Sequence, residues 1–162
     1  MTVRHKVAAV LGLLLVPLGA SWSMTPILDL AGLPLLFLGL FTAIFACAGQ
    51  VAVGASGRPF LMAALAAVGV LCVTFSAVLG AAAGASHYMN LNRHLPSLLA
   101  GEALGALLLG GTGATIIVWA LASIRKCLLK ELWRIWLYWF AYPLLALAMT
   151  WLRGANGAPF SP

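Results

Sequence analysis

Charged residues are so sparse along this chain that they act as punctuation. Between them run five uncharged, mostly apolar stretches: Val7 to Leu28, Leu30 to Gly57, Pro59 to Asn92, Ala103 to Ile124 and Ile135 to Leu152. A helix needs about 20 mainly apolar residues to cross the hydrocarbon of a bilayer. Small and polar residues at the ends of the longer runs read as loops. The pattern therefore predicts an all-α, polytopic integral membrane protein with five transmembrane helices, at 7–24, 27–50, 60–83, 97–124 and 133–152. Residues 1–153 form one transmembrane domain in this reading, and 154–162 a disordered tail.

Prolines refine the pattern. Pro17, Pro34 and Pro143 fall inside three spans and are candidate kinks. Pro26 and Pro96 sit near helix starts, where a missing N–H costs little. The opening MTVRHK, followed by an apolar run and LGASWS, resembles a secretory signal peptide, whose cleavage would leave four helices. The short hydrophobic connection to the second run favours a retained first helix.

Composition removes most alternatives. Of the 162 residues, 64% are hydrophobic and 7% charged, against roughly 25% charged in soluble domains. No segment outside the apolar runs is long enough to fold by itself. A soluble catalytic, nucleotide-binding or nucleic-acid-binding module therefore has no place. Cys47, Cys72 and Cys127 lack metal spacing and read as small packing residues. No nucleophile elbow, metalloprotease helix or phosphate-binding loop is present.

The net charge of +6 follows topology instead of forming a nucleic-acid patch. With the N-terminus in the cytoplasm, Arg4, Lys6, Arg58, Arg125, Lys126, Lys130 and Arg134 lie inside, and only Arg93 and Arg153 outside. That bias is the positive-inside rule. It places the C-terminus on the outer side of what the short loops and Ala/Leu/Gly-rich composition suggest is a bacterial inner membrane.

Three groups of residues merit attention. Glu102 lies early in the fourth span, where an ionised carboxylate is expensive and marks a candidate proton or cation site. Dipole compensation near a helix start is the structural alternative, as it is for Asp29. The preceding loop, GASHYMNLNRHLPS, brings His87, Arg93 and His94 to the same side, and those residues with Glu102 form the candidate polar site. A His/His/carboxylate set suits a transition metal in principle. The His87–Arg93–His94 spacing also resembles the cytochrome b anchor subunits of succinate dehydrogenases. Leu91 stands where those motifs carry glycine, no acid follows His94, and no other span supplies a second axial histidine. The expectation is therefore no metal, no cofactor and no catalytic residue. An Asp29–Glu102 carboxylate dyad has only shared depth behind it.

The second group is SIRKCLLKELWRIWLYWFAY. Lys126, Lys130 and Arg134 recur every four residues and form one basic stripe on a helix. Trp133, Trp136 and Trp139 follow at once. Basic and aromatic residues at the mouth of a span anchor it among anionic headgroups, or dock a cytoplasmic partner.

The third group is small. Gly101 and Gly105 flank Glu102, with Gly110 further along, and Gly80 and Gly84 close the third span. Such spacing lets helix backbones approach closely, within the chain or between subunits. These faces and the scarcity of ionisable groups point to a non-enzymatic integral subunit or assembly component of a larger membrane complex. Its partners are the bilayer and other membrane subunits, not nucleic acid. The alternatives are a small oligomeric transporter or channel using Glu102, and a haem- or metal-binding redox anchor.

Overall fold

The structure is a computed structural model that describes residues 3–24, 29–54, 58–86, 96–122 and 129–156; the side chains at 5, 29, 30, 54, 96–99, 129 and 130 fall outside the description. Five helices account for these residues: α1 Val3–Trp22, α2 Asp29–Gly54, α3 Pro59–Ser86, α4 Pro96–Ala122 and α5 Leu129–Ala155. Four of them are long and apolar enough to cross a membrane: Ala31–Val53, Pro59–Ser86, Ala100–Ala122 and Glu131–Ala155. The chain is thus an all-α integral membrane protein. The apolar part of α1, Lys6–Trp22, falls short of that length; at about 1.5 Å per residue it reaches ~25 Å, against ~30 Å of hydrocarbon.

α1, α2, α4 and α5 begin before their uncharged runs, because charge ends solubility in lipid but does not end the backbone hydrogen-bond ladder. Arg4 and Lys6 lie within α1, and Glu131 occupies the first turn of α5. At its far end α5 continues through Gly154 and Ala155, two residues into the stretch expected to be disordered. Residues 157–162 lie outside the described residues. Pro59 and Pro96 each stand first in a helix, where no N–H is needed. The Arg58 carbonyl accepts the first bond of α3 from the Met62 amide, 3.1 Å away. Pro17, Pro34 and Pro143 are accommodated without ending α1, α2 or α5.

Contacts fix the directions. Gly19 of α1 meets Leu36 of α2, and Gly12 meets Ala43, so these two are antiparallel. Gly69 of α3 meets Ile117 of α4 while Ser86 meets Glu102, again antiparallel. Gly80 and Gly84 meet Pro143 and Leu147, making α3 and α5 parallel. The bundle thus runs up and down in chain order, with α1, α3 and α5 pointing one way. The Lys6 end gathers the start of α1, the end of α2, the starts of α3 and α5, and the end of α4. The Glu102 end gathers the rest.

The core is built from small residues. Ala20, Ala43, Ala66, Ala77, Ala81, Ala114 and Ala146 are buried, with Val16, Val70, Ile117 and Tyr142 the larger members. Phe37, Phe41, Phe45, Phe60, Phe75 and Trp119 point outward, as a lipid-facing exterior requires. Two hydroxyls inside the bundle bond to their own helix: Ser76 Oγ donates to the Val73 carbonyl at 2.7 Å and Thr150 Oγ1 to the Ala146 carbonyl at 2.8 Å. Such back-bonding leaves them little to offer a ligand.

Candidate functional site

At its end of the bundle Glu102 makes one polar arrangement with a neighbouring helix. Glu102 is half-buried, and Ser86 Oγ, at the last residue of α3, donates to its Oε2 at 2.8 Å. The carboxylate's described partner is thus a neighbouring helix end. His87, Arg93 and His94 lie outside the described residues, so their meeting with Glu102 rests on sequence alone. Among the described residues, no three His, Cys, Asp or Glu side chains gather into a metal-binding group.

Arg153 makes the second polar arrangement. Its Nη1 donates to the Ser21 carbonyl at 3.0 Å and approaches Ser21 Oγ at 3.5 Å. Ser21 is in the last turn of α1, whose carbonyls have no partner within the helix. A guanidinium there satisfies an orphan acceptor and sits at the negative end of the helix dipole. This tie between α1 and α5 was not visible in the sequence, since Arg153 read only as a terminal charge.

The expected packing glycines divide. A Cβ added at Gly80 would lie 2.5 Å from the Pro143 carbonyl oxygen, and one at Gly84 2.9 Å from that of Leu147. At Gly110 it would lie 3.0 Å from both the Pro143 ring and Ser76 Oγ. These three are seats for α5 and α3. At Gly105 the nearest atom is a Leu79 methyl at 3.5 Å, ordinary contact, and at Gly101 nothing among the described residues lies within 4 Å. Among the described residues, no close approach is made at Gly101. A tighter seam joins α1 to α2: a Cβ at Gly19 would stand 2.4 Å from the Leu36 amide nitrogen, and one at Gly32 2.4 Å from that of Ser23. Sequence reasoning passed over this pair, although Gly12 and Gly19, like Gly32 and Gly39, are spaced two helical turns apart.

The aromatic segment also divides. Trp133 is exposed and stacks on Trp136 at 5.4 Å, and Trp136 stacks on Phe140 at 4.7 Å. The Trp136 indole N–H donates to Thr115 Oγ1 of α4 at 3.2 Å. Trp139 departs from the anchoring expectation. It is only 4% exposed and stacks on buried Tyr142 at 5.3 Å, because one helical face looks inward and the tryptophans do not share it. Arg134 is exposed; Lys126 and the side chain of Lys130 lie outside the described residues.

Arg134 nonetheless has a specific place. Near the Lys6 end, the α1–α2 pair and the α4–α5 pair part to leave a half-open cavity of about 450 Å³. Each helix lends one face: Lys6, Ala9 and Val10 from α1; Ala46, Cys47 and Gln50 from α2; Leu121 from α4; Arg134, Ile135, Tyr138 and Trp139 from α5. The spacings i, i+3/i+4 explain why these residues line up. The Tyr138 hydroxyl donates to the Ala9 carbonyl and fixes the wall between α1 and α5. Gln50 Nε2 is buried with no hydrogen-bond partner among the described residues.

Comparison with protein-family models, curated proteins and solved structures finds no match.

Proposed function

We propose that this protein is a non-enzymatic integral subunit or assembly component of a larger inner-membrane complex, joined to its neighbours through the outer face of α4. The observation that carries the reading is Gly101. On the same helix Gly110 and Gly113 are packed at 3.0 Å or less against other helices, whereas Gly101 meets nothing within 4 Å among the described residues. A lipid-facing position needs no small residue, and glycine costs a helix up to about 1 kcal/mol relative to alanine. A partner helix approaching closely gives that cost a purpose. Leu104, Leu108, Thr112, Thr115 and Trp119 continue the outward face along α4.

The test is mild detergent extraction followed by mass spectrometry of co-purifying proteins. Stoichiometric partners are expected, and Gly101→Leu should release them while the chain stays folded. A solitary, monodisperse protein would sink the reading.

Orientation belongs to the same proposal. Arg4, Lys6, Arg58 and Arg134 share one end of the bundle and Arg153 the other, which supports a cytoplasmic N-terminus and an outer C-terminus. Trp133, Trp136 and Arg134 then meet the cytoplasmic headgroup layer. The transport alternative has Glu102 behind it, but its described partner is Ser86 at a helix end. Solute flux in liposomes that Glu102→Gln abolishes would favour transport over the subunit role.

A further inference from the structure

We propose that the cavity at the Lys6 end is a binding site for one anionic membrane lipid, with its headgroup between Lys6 and Arg134 and acyl chain along Val10, Ala46 and Trp139. The inference is independent of the subunit reading and rests on how the lining is layered.

Register sets the layers. Gly12 of α1 lies opposite Ala43 of antiparallel α2, which brings Lys6 level with Gln50. Ala9 lies beside Tyr138 of parallel α5, which brings Lys6 level with the turn that bears Arg134. Two cations and an amide donor therefore ring one level of the cavity. A turn deeper are Ala9, Val10, Ala46, Cys47 and Trp139, which carry no charge. The Tyr138 hydroxyl, the polar atom at that depth, is already committed to Ala9.

The chemistry matches one class of occupant. Among the described lining residues, no carboxylate opposes Lys6 and Arg134. The Gln50 side chain adds a polar group to the same level of the lining. A phosphate there neutralises the cations. A volume of about 450 Å³ falls in the usual range for small-molecule sites, roughly 300–1,000 Å³, and the half-open shape lets a chain pass out into the bilayer. A free inorganic anion would leave the deep apolar layer unfilled, and a lipid with no net charge would leave the two cations uncompensated.

The test uses full-length protein purified in a neutral detergent, titrated with phosphatidylglycerol, with phosphatidylcholine and with inorganic phosphate. Thermal midpoint and native mass spectrometry are read together. Expected is one retained phosphatidylglycerol and a saturable rise in midpoint, with neither from phosphatidylcholine or phosphate. Each basic contact to an anionic headgroup is worth about 1 kcal/mol, so Lys6→Gln or Arg134→Gln should weaken binding about fivefold and the pair roughly thirtyfold. Val10→Trp fills the chain-binding layer and should abolish retention with both cations in place. Equal retention of the two lipids, undiminished binding by the double variant, or a full response to phosphate alone would each overturn the proposal. So would a polypeptide found occupying the cavity in place of lipid.

Discussion

Where glycines line a helix seam the backbones touch; beside the Lys6-end cavity aromatic rings stand between the helices instead. Gly19 and Gly32 draw α1 and α2 together, Gly80 and Gly84 seat α5 on α3, and Gly69 and Gly113 join α3 to α4. Tyr138 and Trp139 stand between the α1–α2 and α4–α5 pairs and line the cavity with Cys47 and Gln50. Lipid tails are as apolar as a leucine side chain, so helices in a bilayer gain from dispersion and close fit instead of from leaving water. Glycine contacts maximise that fit and exclude a ligand. Bulky rings give up fit and create room. One bundle thus has seams suited to holding its shape and a cavity suited to holding something else.

The largest expected effect comes from breaking a glycine seam. Gly19→Leu puts a side chain where even a Cβ lies 2.4 Å from the Leu36 backbone. Backbone cannot give way as a flexible side chain does, so the cost should exceed the ~1–3 kcal/mol of ordinary overpacking. The variant is expected to aggregate on detergent extraction, read by size-exclusion chromatography. A monodisperse peak with the wild-type thermal midpoint would mean the α1–α2 seam is not what holds these helices together. Val10→Trp at the cavity end should, by contrast, leave the fold intact.

The seams and the cavity were unequally legible in the sequence. Charge spacing is one-dimensional, and it delivered the five helices and their alternation, because an ionised group cannot be left in hydrocarbon. Gly80, Gly84 and Gly110 were legible as packing residues for a similar reason: small residues at four-residue intervals describe one helix face. Gly101 and Gly19 show the limit. Both are glycines near or in apolar runs, yet among the described residues one meets nothing within 4 Å and the other a backbone, and only the relative rotation of the helices decides which. Trp139 was grouped with Trp133 and Trp136 as a run of tryptophans; separating it required knowing which face of α5 looks inward. The cavity was invisible for the same reason. It is a property of where two helix pairs diverge, and no single segment encodes it.

A smaller effect sharpens the comparison from the polar side. Arg153→Gln removes the cation from the last turn of α1 and weakens the bond to the Ser21 carbonyl. Charge–dipole pairing at a helix end is worth about 0.3–1 kcal/mol when exposed and up to ~2 kcal/mol when partly buried. Arg153 is half-buried, so a loss of about 1 kcal/mol is expected in denaturant unfolding from mixed micelles. Arg153→Lys should recover part of it. Equal stability of all three proteins would show that the glycine seam alone fixes the end of α1.

The smallest effect is a difference of sign. Glycine inside a helix is less favourable than alanine by up to about 1 kcal/mol, because the unfolded chain gains entropy from it. At Gly101 a Cβ meets nothing within 4 Å, so Gly101→Ala should stabilise the isolated chain by several tenths of a kcal/mol. At Gly80 the same atom would stand 2.5 Å from the Pro143 carbonyl oxygen. There the steric cost outweighs the helix-propensity gain, and Gly80→Ala should destabilise. Thermal midpoints of the two variants in one detergent make the comparison direct. If both fall, Gly101 is already packed in the purified protein, against a neighbour that is not among the described residues.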